Sequence, residues 1–323
     1  MAGFLERAGV ARPIVQAGMG GGLAGHRLAA AVSEAGGLGT LGILGPRELR
    51  LEIAAFRALT AKPLAVNLPL PLARRAHFEA AARAEVIVTF WGRPRRAAGS
   101  LWIHQCGSVG EALAAQRAGA DAVIAQGIEA GGHVRGDLAA LELLQRVREA
   151  LPGDFPVLSA GDVAAASDVK TRLDAGAEAA VCGTRFLMTD ESGAHPGYKQ
   201  RLLGARETLL TELFGVGWPA PHRVVANEAT DRWLGRDPRG PLWLRGFQRA
   251  TAPLFSRVPA AVQLRLAATQ SAGRPLFGPA AATADGPASL VDAGPLYAGQ
   301  CIARIGDIRP AAELVGELAG QVS

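Results

Sequence analysis

Arg117-Ala118-Gly119-Ala120-Asp121-Ala122-Val123 and Asp174-Ala175-Gly176-Ala177-Glu178-Ala179-Ala180-Val181 are near copies of one junction. In each, a glycine stands where an amphipathic helix should stop in the left-handed conformation, and an apolar run follows at once, as at the entry to a buried strand. Ala35-Gly36-Gly37-Leu38-Gly39-Thr40 is a looser third copy. Working outward, the first half of the chain alternates short apolar runs with Ala/Leu-rich segments of helical spacing, the signature of βα units on a parallel sheet. Eight strands are expected: Pro13–Ala17, Leu38–Leu41, Leu64–Leu68, Glu85–Phe90, Leu101–Cys106, Ala122–Ala125, Pro156–Ser159 and Ala179–Cys182. Repetition of equivalent units favours a closed barrel over an open sheet with one switch point. The expectation is an α/β chain, a (β/α)8 TIM barrel over residues 1–196 and 286–323, with an inserted helical subdomain, 197–285, over the active-site face. Its helices are expected at Tyr198–Leu213, Ala226–Leu234, Pro241–Leu254 and Ala260–Ala272, and Pro310–Gly320 reads as the closing helix of the barrel.

One unit departs from the rhythm. Only Trp91 to Ser100 separate the fourth and fifth strands, with Pro94 and Gly99 inside, whereas a parallel crossover ordinarily takes a dozen residues or more. Either that helix is reduced to a loop or one of the two strands is misassigned.

A chain of 323 residues, 49% hydrophobic, can bury a core of this size, and its formal charge of +5 is spread among interleaved acids rather than gathered in a stripe. Nucleic-acid binding therefore has little support. The N-terminal Glu6 and Arg7 interrupt any signal-peptide core and no apolar run reaches the length of a membrane span, so a cytoplasmic protein is expected. Cys106, Cys182 and Cys301 are odd in number and lack metal-ligand spacing, which reads as buried thiols. The sequence leaves homo-oligomer formation open.

In a barrel, residues at the C-terminal ends of the strands line the site. Here those ends carry Gln16, Asn67, Gln105, Gln126 and Ser159, neutral donors and acceptors suited to a heterocycle. After the seventh and eighth strands, Ser159-Ala160-Gly161-Asp162 and Cys182-Gly183-Thr184-Arg185-Phe186 offer close backbone approach and a hydroxyl to a phosphate monoester. Gly20 to Gly25 matches G-x-G-x-x-G, but the second strand lacks the acidic residue that a dinucleotide site would need. Past the sixth strand comes Glu129-Ala130-Gly131-Gly132-His133. A histidine behind two glycines is not on a helix face, and its imidazole suits a general base. Glu129 reads equally as a second acid, an arginine partner or a cap.

Ile14-Val15-Gln16-Ala17-Gly18-Met19-Gly20-Gly21, Gln126-Gly127-Ile128-Glu129-Ala130-Gly131-Gly132-His133 and Gly183-Thr184-Arg185-Phe186 together resemble the nitronate monooxygenase (2-nitropropane dioxygenase-like) family. The resemblance implies non-covalent FMN and oxidation of a nitronate or nitroalkane by O2 to a carbonyl compound and nitrite. It places Ala17, Gly18 and Met19 along the flavin ring, Asn67, Gln105 and Gln126 at its polar edge, Ala160, Gly161, Asp162, Gly183 and Thr184 at the phosphate, and His133 as the base. Asp162 stands where the pattern usually has a second glycine, and its charge would need an outward turn or an arginine partner. Gly18 stands where many relatives have proline. Two other readings share the motifs: an FMN-dependent NAD(P)H:quinone or enoyl-acyl-carrier-protein reductase, and a barrel that binds without catalysis.

Overall fold

In a computed structural model, which describes residues 3–96, 99–255, 258, 269–274 and 277–320, the chain folds as a parallel eight-stranded barrel. The barrel strands are β1 (Ile14–Gln16), β2 (Gly39–Leu41), β3 (Leu64–Pro69), β4 (Val86–Phe90), β5 (Leu101–Cys106), β6 (Ala122–Gln126), β8 (Val157–Ala160) and β9 (Ala179–Cys182). A two-residue strand, β7 (Gly132–His133), lies outside the barrel. The order β1-β9-β8-β6-β5-β4-β3-β2 closes through a parallel bridge between Val15 and Leu38.

The strands are apolar on both faces because helices cover the outside while side chains fill the inside. Val15, Ala65, Val86, Val88, Ile103, Ala122, Ile124, Leu158, Ala160, Ala179 and Val181 meet in the interior, with Phe4 of the N-terminal helix Phe4–Arg7 packed among them. Their neighbours of opposite parity, such as Ile87, Val123 and Ala180, pack against the helices. The three repeated junctions end as expected, with Gly36, Gly119 and Gly176 at φ of 91°, 84° and 91°. Between β4 and β5 no helix forms among the described residues, yet the two strands pair in parallel from Val86↔Leu101 to Phe90↔Gln105. Both strands were thus correctly placed, and the described part of the crossover is a loop that turns at once through Trp91 (φ 61°) and Gly92 (φ 92°). Helix Ala311–Ala319 closes the ring, buried on Leu28 and Val32 of helix His26–Glu34.

The segment read as helical is mixed. Helices Pro196–Leu203, Glu228–Trp233 and Leu242–Phe255 are present, but Leu209–Thr211, within an expected helix, forms β10, and His222–Val225 forms β11. Most of the expected helix Ala260–Ala272 lies outside the described residues. Strand β11 pairs antiparallel with β10 on one side, and with both β7 and β12 (Leu296–Tyr297) on the other. A short apolar run such as Leu209-Leu210-Thr211 carries no period that separates strand from helix, and its partner strand here decides. This sheet ties the loop after β6 to the tail of the chain, and so places His133 opposite His222.

Candidate active site

One cavity of about 1040 Å³ opens at the C-terminal end of the barrel. Ala17, Gly18, Met19, Asn67, Gln105, Gln126, His133, Ala160, Gly161, Asp162, Gly183 and Thr184 all line it. Strand parity explains part of this. Asn67, Gln105 and Gln126 share the parity of the interior residues Ala65, Ile103 and Ile124, so their side chains rise from the barrel axis into the cavity.

Two strand ends behave otherwise. Ser159 sits between the inward residues Leu158 and Ala160, is fully buried, has no partner for its hydroxyl among the described residues and is not on the cavity wall. Gln16 lies on the cavity wall but spends its amide on the strand junction: its Oε1 accepts from the Thr40 N–H at 2.9 Å and its Nε2 donates to the Ala17 carbonyl. Gln126, although on the wall, donates from Nε2 to the His133 carbonyl at 3.1 Å and accepts from the Arg135 N–H at 3.4 Å, so its amide braces the histidine loop. Asn67 donates to the Gly18 carbonyl at 2.9 Å and leaves its buried Oδ1 without a partner among the described residues. A Cβ on Gly18 would fall 2.3 Å from Asn67 Cβ, so this glycine is what allows the first loop to lie against that amide.

The histidine loop is held at both ends. The Glu129 carboxylate accepts from the Ala140 N–H at 3.0 and 3.2 Å and so caps helix Ala140–Ala150, one of its three readings. The Glu129 carbonyl accepts from Gln300 N–H, and the Arg223 guanidinium donates to the Ile128 carbonyl. The imidazole of His133 stacks flat on Trp218, with ring centroids 3.7 Å apart and planes at 9°, and has Tyr297 at 5.9 Å and His222 at 5.4 Å. Its Nε2 is buried without a hydrogen-bond partner among the described residues. Burial first, and the neighbouring His222 second, holds the His133 pKa well below the ordinary histidine value, so the ring is neutral at pH 7. His222 is likewise neutral, its pKa pushed by burial to about 4, and both its nitrogens are engaged: Nδ1 with the Ala220 carbonyl at 2.8 Å and Nε2 with the Phe214 N–H at 3.3 Å. Trp218 and His222 escaped the sequence reading, because contacts across some 85 residues leave no local period.

Buried neutral histidines make stability depend on acid. His104, pushed by burial to about 4, and His222 bind fewer protons folded than unfolded between pH 4 and 6.5, so stability rises with pH across that window. Their contribution is complete above pH 6.5 and falls away as pH drops towards 4. We expect urea unfolding at pH 5 to show a loss on the order of 1–2 kcal/mol per histidine against pH 7.5. A variant carrying His104→Gln and His222→Gln should show a correspondingly shallower pH dependence, and an unchanged one would refute this source.

Beside the histidine loop, the Gly299 N–H donates to Thr184 Oγ1 at 2.8 Å, and Asp162 takes a left-handed φ of 54° with its carboxylate 3.2 Å from Arg304. Asp162 therefore has the arginine partner that its charge calls for. Among the described residues no group of three or more His, Cys, Asp or Glu could hold a metal ion, and no helix is long and apolar enough to cross a membrane. Cys182 and Cys301 border the cavity as free thiols, both pushed by burial to about 12.

Comparison with known proteins agrees with this architecture. The chain is 33% identical over 247 residues to the (3aS,4S,5R,7aS)-5-hydroxy-7a-methyl-1-oxo-octahydro-1H-indene-4-carboxyl-CoA dehydrogenase of Mycobacterium tuberculosis, covering 70% of this chain and 66% of that protein, just under two thirds. It is 31% identical to the nitronate monooxygenase of Paraburkholderia phytofirmans over 98% of this chain and 93% of that one. Among solved structures, the nitroalkane oxidase of Streptomyces ansochromogenes superposes with a TM-score of 0.76 at 30% identity, covering 97% of this chain and 96% of that one. FabK of Thermotoga maritima superposes at 0.74 and 28% identity, covering 98% and 94%. The sequence model of nitronate monooxygenase matches residues 4–91 and 92–321, and the chain belongs to that family.

Proposed function

We propose that the chain is an FMN-dependent oxidoreductase that oxidises alkyl nitronates with O2 to a carbonyl compound and nitrite, with His133 as base for neutral nitroalkanes. The observation that carries this reading is the buried, unpartnered Nε2 of His133 on the wall of the cavity that holds the three glycine-rich segments. Similarity to a nitronate monooxygenase and a nitroalkane oxidase supports it.

The residues fit the cofactor. Asn67 Oδ1 is an orphaned acceptor for a heterocycle N–H, and a Cβ added to Gly183 would project towards Ala17, 3.6 Å away, where the bare glycine leaves room for a guest. Asn67 and Gln105 would hold the polar edge of FMN, Ala17 to Met19 its flat face, and Gly161, Gly183 and Thr184 its phosphate, with Ala160 and Asp162 beside them. Gln126 we assign to positioning the histidine loop rather than to the flavin. When bound, the flavin supplies the redox chemistry.

The protein's own contribution is a proton acceptor in a site shielded by aromatic rings. His133, neutral because it is buried, takes the carbon proton of a nitroalkane at Nε2. The Trp218 ring fixes the imidazole plane beforehand and then faces the cation formed, which the indole quadrupole favours. A nitronate, already anionic, needs no such step.

A reductase using NAD(P)H is the second reading, favoured by the likeness to a CoA-thioester dehydrogenase and to FabK. One preparation separates the readings. The purified protein is expected to be yellow, and anaerobic propionate 3-nitronate is expected to bleach its flavin faster than NADH or NADPH does. Rapid bleaching by NADH alone would favour the reductase, and a colourless protein that cannot be reconstituted with FMN would favour a non-catalytic barrel.

A further inference from the structure

The loop after β8 combines two features that oppose each other. Its backbone is shaped for an anion: Gly161 (φ 114°) and Asp162 (φ 54°) both take positive φ, and both carbonyls are held by arginines. The Gly161 carbonyl accepts from Arg172 Nη2, and the Asp162 carbonyl accepts from Arg172 at 3.2 Å and from Arg304 at 3.1 Å. The N–H groups of Asp162 and Val163 meet no acceptor among the described residues, and both residues line the cavity. Successive free N–H groups in such a turn form an anion nest. Yet the loop carries a carboxylate on Asp162, which by itself would repel the guest.

Arg304 resolves the conflict. It reaches Asp162 Oδ2 at 3.2 Å and both oxygens of Asp168 at 2.8 and 2.9 Å. Asp168 in turn accepts from the Ala164 and Ala165 N–H groups at 2.8 and 3.0 Å, which anchors this end of the network to the start of helix Ala166–Asp174. Both carboxylates thus face the one guanidinium of Arg304, while the buried Arg172 donates only to the backbone carbonyls of Gly161, Asp162 and Asp168, so that the four formal charges of this cluster sum to zero. Arg304 belongs to the 3₁₀ turn Gln300–Arg304, which follows directly on the Gly299 bond to Thr184.

Resting on the reading of the cavity as a flavin site, we infer that Arg304 is the counter-charge that turns an Asp-bearing loop into a phosphate site, and that Asp162 and Arg304 act as one unit in cofactor affinity. Asp, with a short polar side chain, tolerates the left-handed backbone where most residues would not, but only with its charge cancelled does it leave the nest open to a phosphate monoester.

FMN and riboflavin, which lacks the phosphate, are titrated by fluorescence into flavin-stripped full chain: the wild type, Arg304→Gln, Asp162→Gly and the double variant. Arg304→Gln is expected to raise the FMN Kd about tenfold or more, as an uncompensated charge beside an anion would, while the riboflavin Kd stays as in the wild type. Adding Asp162→Gly is expected to restore FMN affinity to near the wild-type value. Equal losses for FMN and riboflavin, an unchanged FMN Kd, or a double variant as weak as Arg304→Gln would each overturn the inference while leaving the flavin site standing. A wild-type chain that binds neither flavin would overturn the flavin reading and this inference together.

Discussion

Replacing His133 with Asn is expected to lower kcat/KM on a neutral nitroalkane such as nitroethane by about 10²- to 10⁴-fold, the range that a positioned general base supplies, while oxidation of the preformed nitronate continues at nearly the wild-type rate. The loop should survive the change, because what holds it is backbone: the pairing of Gly132 and His133 with β11, and the Gln126 bond to the residue-133 carbonyl. The pH dependence sharpens the test. A base must be deprotonated to act, and burial holds the His133 pKa below the ordinary histidine value. Activity of the wild type on the neutral substrate should therefore persist below pH 6.5 and fall only at lower pH, and the variant should lose that limb. Equal losses on nitroalkane and nitronate would show that His133 shapes the pocket rather than moving a proton. The same outcome would leave flavin binding and family membership untouched, since neither depends on the imidazole.

The barrel was legible because each strand is a short apolar run and three of them are entered through a glycine stop, a signal local to a dozen residues, as at Gly119 and Gly176. Even the defective unit between β4 and β5 was visible as a shortage of residues. What strand sequences of this kind hide is parity. A strand buried on both faces is apolar throughout and shows no alternation, so nothing in Pro156–Ser159 tells which of Leu158 and Ser159 points inward. Asn67, Gln105 and Gln126 fell on the inward side, whereas Ser159 did not. The second layer of the site was hidden for a different reason. Trp218 on His133, Arg304 on Asp162 and β7 and β12 along one edge of β11 join segments about 70 to 142 residues apart, and such pairings are decided by tertiary packing rather than by any period in the chain. The Glu-Ala-Gly-Gly-His segment falls on the cavity wall, but the neutrality of its histidine comes from burial among residues that the segment does not contain.

The two glycines before that histidine have different physical tasks, and exchanging each for alanine should separate them. At Gly131 an added Cβ would lie 2.5 Å from the Gly299 nitrogen and 2.6 Å from the Ala298 carbonyl carbon, backbone atoms that cannot swing aside. That backbone is itself pinned, with Gln300 N–H on the Glu129 carbonyl at 3.0 Å and Gly299 N–H on Thr184 at 2.8 Å. Relief of the clash must therefore open the joint between the histidine loop, Thr184 and Tyr297. We expect Gly131→Ala to destabilise the fold at or above the upper end of the roughly 1–3 kcal/mol that overpacking costs, and to release FMN, because the Thr184 contact moves with it. Gly132 meets nothing within 4 Å and is needed only for its left-handed φ of 74°. Gly132→Ala should cost only about 1–2 kcal/mol of backbone strain, retain the flavin, and reduce turnover of neutral nitroalkanes more than that of nitronates by tilting His133 off Trp218. Gly132→Asn should recover part of that stability, since Asn accepts the left-handed region more readily than Ala. Urea denaturation and the flavin absorbance of the three variants decide the matter: a Gly131→Ala protein as stable and as yellow as wild type would mean that the joint between the loop and residues 298–300 is not the support of the site.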